Sequence, residues 1–270
     1  MYAAREYCGS SSEGALSMQR ILHLALIGCS LSLPPTAVAQ QAAYSPELQQ
    51  ALQRIGATAS EQIRAIPSFT CDETATSQAI RDHKVVRSMS LSGIIRTVRQ
   101  PNGGLLETND YKHDHILLFI PKFPPLFVRG GFASALAYFL PSSQDCYRYT
   151  LSAGRIDFEA RTGPAHACAQ RGTKGFALLG PDGNVRHIER TIPPDVAAPL
   201  KLATFATIDL APVELGGTTY LLSNHMVADM PLHDATGHFE ATYTNCHLFT
   251  ATVTLGPAAE VPPDATAKPQ

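Results

Sequence analysis

The chain has 270 residues, with 21 Lys and Arg against 23 Asp and Glu, a net charge of −2 and both signs spread along its length. That balance leaves no basic face for nucleic acid. Tryptophan is absent, which argues against the indole platforms on which sugars stack, and 20 Pro with 19 Gly suit many turns between short strands.

The first element is a leader. Arg20 precedes an apolar run from Ile21 to Leu33, Pro34 and Pro35 break it, and Ala37-Val38-Ala39 forms a small-x-small cleavage site before Gln40. This layout predicts a secretory signal peptide over residues 1–39, with Met18 as a natural start. The run is too short to anchor in a bilayer, and no later segment has ~18 consecutive apolar residues, so no transmembrane segment is expected once the leader is removed. Leu26-Ile27-Gly28-Cys29 resembles the box before a lipid-modified cysteine, which makes a lipid anchor the alternative. The expected location is therefore periplasmic or secreted.

Residues 40–46 read as a tether, 47–256 as a single β-rich domain and 257–270, rich in Pro, Ala and charge, as a disordered tail. In the domain, Leu48, Leu52, Ile55, Ala59 and Ile63 recur at helical spacing. Ser45 as N-cap, Pro46 at the first helical position and Glu47 beside it make a good start, and Ile66-Pro67 a stop. Thr-rich alternation over residues 68–76 suits a strand. Strands follow at 85–98 and 105–119, with Pro101-Asn102-Gly103-Gly104 between them as a turn. After Pro121-Lys122-Phe123-Pro124-Pro125, the spacing of Phe132, Leu136, Phe139 and Leu140 predicts one short apolar helix over 131–140, ended by Pro141. Hairpins are expected at 147–151 with 155–161 and at 174–179 with 185–192, the second around Pro181-Asp182-Gly183-Asn184, and Pro193-Pro194 closes that pair. Three further strands fall at 204–212, 218–226 and 239–255.

The order contains no βαβ alternation and no repeat of 20–50 residues. The fold class read from it is mainly β (α+β): an open antiparallel half-barrel or bent sheet, with an N-terminal helix and a short helix on the concave face.

Six cysteines occur, and cleavage leaves Cys71, Cys146, Cys168 and Cys246, an even number suited to an oxidising compartment. Four cysteines allow three pairings. Cys146 begins a hairpin strand and Cys168 follows its return strand, so the hairpin brings these two together. Cys71 and Cys246 then either bond, tying the first strand to the last, or remain buried thiols.

Chemistry-bearing patterns are sparse. No G-x-S-x-G, H-E-x-x-H or P-loop occurs in the sequence. His113 and His115 share one face of a strand and are the candidate metal ligands, with His225, His233 or His238 as a third. Asp157 and Glu159 alternate with apolar neighbours and read as solvated outward residues. The apolar stretch from Ile116 to Leu140 supplies candidate cavity residues: Phe119, Phe123, Phe127, Phe132, Leu136 and Phe139. No catalytic residue and no cofactor is expected.

Three segments carry a resemblance: Ile66-Pro67-Ser68-Phe69-Thr70-Cys71 entering the first strand, Gly216-Gly217-Thr218-Thr219-Tyr220-Leu221-Leu222, and Tyr243 to Phe249 in the closing strand. On these the chain resembles a large group of exported bacterial proteins, similar in architecture to the periplasmic lipoprotein carriers (LolA-like). The resemblance spans most of residues 48–255. It implies a half-open antiparallel barrel whose apolar face, plugged by helices, receives acyl chains. It implies no catalytic residue. The function expected is thus an exported, non-enzymatic binding protein holding a lipid or lipoprotein acyl chain. A cell-envelope interaction or structural protein, and then a metal-dependent enzyme at His113 and His115, are the alternatives.

Overall fold

The computed structural model describes residues 44–111, 126, 128, 131–163 and 170–249. Strands β1 (Phe69–Arg81), β2 (Lys84–Arg99) and β3 (Leu105–Tyr111) are followed by β4 (Tyr147–Ser152), β5 (Arg155–Ala160), β6 (Lys174–Leu179) and β7 (Val185–Thr191). Strands β8 (Phe205–Leu215), β9 (Thr218–Pro231) and β10 (Thr236–Leu248) complete one antiparallel sheet. The strand order is β3-β2-β1-β10-β9-β8-β7-β6-β5-β4. β3 and β4 are its two edges, so the sheet is open rather than a closed barrel. The last strand inserts between β1 and β9, which brings residues from both ends of the domain side by side.

Turn chemistry explains the tight connections. Asp82 and His83 between β1 and β2 have φ of 49° and 60°, and Gly216 and Gly217 between β8 and β9 have 61° and 82°. Two consecutive positive φ values give the turn twist that matches two right-twisted strands.

Helix α1 (Pro46–Ala65) starts as its sequence dictates: Ser45 Oγ accepts from the Leu48 N–H and Pro46 occupies the first turn. Leu48, Ala51, Leu52, Ile55, Gly56 and Ala59 form its buried stripe. Burying three large aliphatics contributes ~5–9 kcal/mol as an upper bound. Arg99 donates to the carbonyls of Ile63 and Ile66, satisfying the last turn. Gln62 bonds the Leu221 N–H and carbonyl, fixing the helix to β9. The sheet face carrying α1 is called the inner face below.

The apolar segment before β4 differs from expectation. It is a four-residue turn α2 (Gly131–Ser134), a 3-10 turn at Ala137–Phe139 and a second turn α3 (Pro141–Gln144). Pro141 has no N–H for a helix running up from Ala137, and the residue before it is pushed out of the helical region. Leu140 accordingly has ψ 141°, and Pro141 opens a new turn instead of closing the old one. Gly56 lets α1 approach this segment: a Cβ there would lie 2.9 Å from the Phe139 carbonyl and 2.7 Å from Gln144 Nε2. A further helix, α4 (Pro194–Leu200), occupies residues that read as a plain stop, because Pro194 sits in its first turn.

Cys71 and Cys246 form a disulfide across β1 and β10, closing a separation of 175 residues. Cys146 is also disulfide-bonded; its expected partner Cys168 lies outside the described residues. Disulfides of this kind are compatible with an exported protein. Among the described residues no helix is long and apolar enough to cross a membrane.

Candidate functional site

One facing pair of inward positions on the middle strands is small. Ala206 on β8 faces Ala228 on β9, and Ile208 faces Met226 one step along. Both alanines are buried. Where larger residues would meet the covering segment, these leave a trough of about 50 Å³, closed above by Val128 and Gly131 and bordered by Tyr138 and Arg190.

The cover is clipped to the sheet by two buried serines. Ser77 Oγ donates to the Leu126 carbonyl at 2.6 Å and accepts from the Leu126 N–H at 2.9 Å. Ser223 Oγ donates to the Gly131 carbonyl at 3.1 Å. α2 lies so near β9 that a Cβ on Gly131 would be 3.2 Å from Met226 Sδ. Phe132 inserts between Phe69 and Tyr243, with ring centroids at 5.3 and 4.9 Å. The next turns are held differently. Tyr138 stacks on Phe158 at 4.8 Å, Phe139 packs on Tyr149 and Phe158, and the Tyr149 hydroxyl donates to the Tyr138 carbonyl. Burial raises the Tyr147 phenol to about 12 and raises those of Tyr138 and Tyr149 as well, so all three stay neutral.

Beside the trough the inner face turns polar. Glu73 on β1 is opposite Tyr243 on β10 and Gly93 on β2, and Gly93 is opposite Tyr111 on β3. Gly93 is obligatory, since a Cβ would sit 2.3 Å from the Asp110 carbonyl oxygen. Asn109 Nδ2 donates to Glu73 Oε2 at 2.5 Å. Glu73 is 1% exposed, yet its Oε1 has no hydrogen-bond partner, and neither has Asn109 Oδ1. Burial pushes the Glu73 carboxyl above the usual carboxylate range; Asn109, Tyr111 and Tyr243 pull the other way, and Glu107 adds to the rise. Burial likewise raises the Tyr243 phenol, helped by the charge of Glu73.

Of the cavity residues read from the sequence, Phe132, Leu136 and Phe139 are buried on the inner face. Phe119, Phe123 and Phe127, and the metal candidates His113 and His115, lie outside the described residues. The other histidines do not converge. His187, Asp209, His225 and Glu240 form a ladder across the opposite face, at 2.6, 3.1 and 3.1 Å between successive partners. His238 pairs separately with Asp229. Among the described residues no group of three or more His, Cys, Asp or Glu could hold a metal. Asp157 and Glu159 face outward in ion pairs with Arg155 and Arg148. Sequence reasoning missed the polar cluster, though Glu73 carries a signal: it falls in phase with Phe69, Cys71 and Ala75, the apolar side of its strand.

Structural neighbours of the chain are DUF1329 and LolA-superfamily proteins. It is similar to a DUF1329 family protein from Desulfovibrio piger (12% identity, TM-score 0.38) and to a putative outer membrane lipoprotein-sorting protein domain from Vibrio parahaemolyticus (10%, 0.41). It is also similar to a LolA superfamily protein from Nitrosomonas europaea (11%, 0.31). Each match covers 76% of this chain and 94% of the other. No protein-family model and no curated protein matches the sequence.

Proposed function

We propose that the chain is an exported binding protein of the periplasm or the outside, and that it holds an apolar chain, from a lipid or a lipoprotein, in the trough beneath α2. The observation that carries this reading is the covered trough itself: two facing alanines below and the short turn α2 above. At about 50 Å³ it is far smaller than the ~300–1,000 Å³ of ordinary ligand sites. An acyl chain must therefore enlarge it, and the element to move is α2. A single helical turn has little stability of its own. α2 is held by the Ser223 hydrogen bond and by the Phe132 ring, whereas the turns after it are fixed in the aromatic cluster around Tyr149 and Phe158. Weakly held elements open first. The leader at residues 18–39 and the bonded cysteines support export.

Native mass spectrometry of the protein purified from its own host tests the reading. A bound mass in the lipid range that leaves on adding excess dodecanol is expected. An apo mass, together with failure to take up dodecanol from solution, would overturn it.

A further inference from the structure

Among the described residues that line the trough, Arg190 alone is charged. It follows Ile188 by two on β7 and so shares the inner face, while Glu189 between them falls on the other one. Arg190 is opposite Ala206, and Ala206 is opposite Ala228. The three form one row across β7, β8 and β9, with ~5 Å between neighbours. The cation thus stands in line with the two alanines that make the trough.

Its partners are neutral. Arg190 Nη1 donates to the Ala203 carbonyl at 2.9 Å. Burial raises the Tyr138 phenol, and the charge of Arg190 and a hydrogen bond from it pull the other way, which sets the guanidinium beside that hydroxyl. Ala203 and Tyr138 line the trough too. Among the described residues no carboxylate forms an ion pair with Arg190. A guanidinium is always charged and carries its N–H donors in a planar fork, so one carbonyl and one hydroxyl leave part of that fork open. A charge without a counter-charge beside an apolar wall costs free energy. Its complement is a planar acceptor with one negative charge, and a carboxylate supplies that through two parallel N–H···O bonds. A phosphate monoester carries about 1.5–2 charges at pH 7, more than one guanidinium matches.

Resting on the reading above, in which an apolar chain occupies the trough, we infer that this chain ends in a carboxylate seated on Arg190, so that the ligand is a fatty acid with its tail over Ala206 and Ala228.

Calorimetric titration with dodecanoic acid, dodecyl phosphate, dodecanol and dodecylamine, each below its aggregation concentration at pH 7, tests this. In wild type the acid should bind about thirtyfold more tightly than the alcohol, the worth of one hydrogen bond to a charged group. The phosphate should fall behind the acid, and the amine should bind most weakly. In Arg190→Gln the advantage of the acid over the alcohol should vanish. In Arg190→Lys, which keeps the charge and loses the fork, it should shrink but persist. Equal affinities of acid and alcohol in wild type, a phosphate that binds more tightly than the acid, or an advantage that survives Arg190→Gln would overturn the inference. A second measurement needs no variant: the Arg190 Nε–H signal, assigned through bonds along its own side chain, is followed by NMR with propanoate, too short to fill the trough. It should move downfield as the carboxylate accepts from it, and propanol should leave it in place. A signal unmoved by propanoate overturns the carboxylate seat. A propanoate shift with no binding of any twelve-carbon compound sinks the trough reading alone. Dodecanol binding without an acid advantage sinks the carboxylate seat alone.

Discussion

Replacing Ala206 with leucine fills the trough from below. Ala206 is 6% exposed and lines the space of about 50 Å³. Leucine adds three carbons, worth about 2.4 kcal/mol if all are newly buried at ~0.8 kcal/mol per methylene. Overpacking costs ~1–3 kcal/mol. The two nearly cancel, so stability should change by no more than about 1 kcal/mol, roughly 2–4 °C in Tm for a domain of this size. A ligand loses the place of those three carbons, about 2.4 kcal/mol or ~50-fold in affinity. The assay is fluorescence titration with the apolar dye N-phenylnaphthylamine, with thermal melts in parallel. Thr207→Leu, one residue along and so on the opposite face, is the control and should bind as wild type does. Wild-type dye affinity in Ala206→Leu would refute the placement of the site.

Three other outcomes follow. Ser223→Ala removes the bond to the Gly131 carbonyl and should weaken the hold on α2 by ~1 kcal/mol, seen as about fivefold faster amide exchange in α2; unchanged exchange would mean that the serine is not a clip. Replacing Cys71 and Cys246 together by alanine opens a loop of 175 residues and should lower unfolding free energy by about 5 kcal/mol on the chain-entropy model; a loss below ~1 kcal/mol in urea would contradict it. Burial opposes protonation of His225, but Glu240 and Asp209 outweigh it and the pKa is raised. Protonated His225 therefore stabilises the fold below the unfolded value of ~6.5, and that contribution is lost as pH rises through the folded value. His225→Gln should be less stable than wild type at pH 5.5 and equal to it at pH 8.5, and urea melts showing the reverse order would refute the sign.

What the sequence revealed depended on the range of the signal. The hairpins at β4–β5 and β6–β7 were legible because their turn residues and alternation lie within a dozen positions. So was α1, from Ser45-Pro46-Glu47 and the stripe at Leu48, Leu52 and Ile55. The helix expected over 131–140 and ended by Pro141 is broken already at Ala135 and Leu136, between two short turns, and the side-chain spacing held no sign of that break. α4 was missed because Pro193-Pro194 read as an ending, while proline in a first turn is a beginning. The Cys71–Cys246 bond was one of two open readings until the placement of β10 beside β1 was known. The polar cluster was the hardest to see. Positions 73, 109, 111 and 243 meet only through the registers of β1 with β10, of β1 with β2 and of β2 with β3. The trough was equally hidden, since Ala206 and Ala228 are unremarkable in sequence and matter only because they face each other.

A crystal structure of the protein soaked with 12-bromododecanol tests the central claim most directly. Anomalous scattering locates the bromine and thus the end of the chain. The account predicts bromine and chain density between Ala206, Ala228 and Met226 with α2 displaced from Ser223. Bromine bound only elsewhere, with α2 seated as it is now, would contradict it.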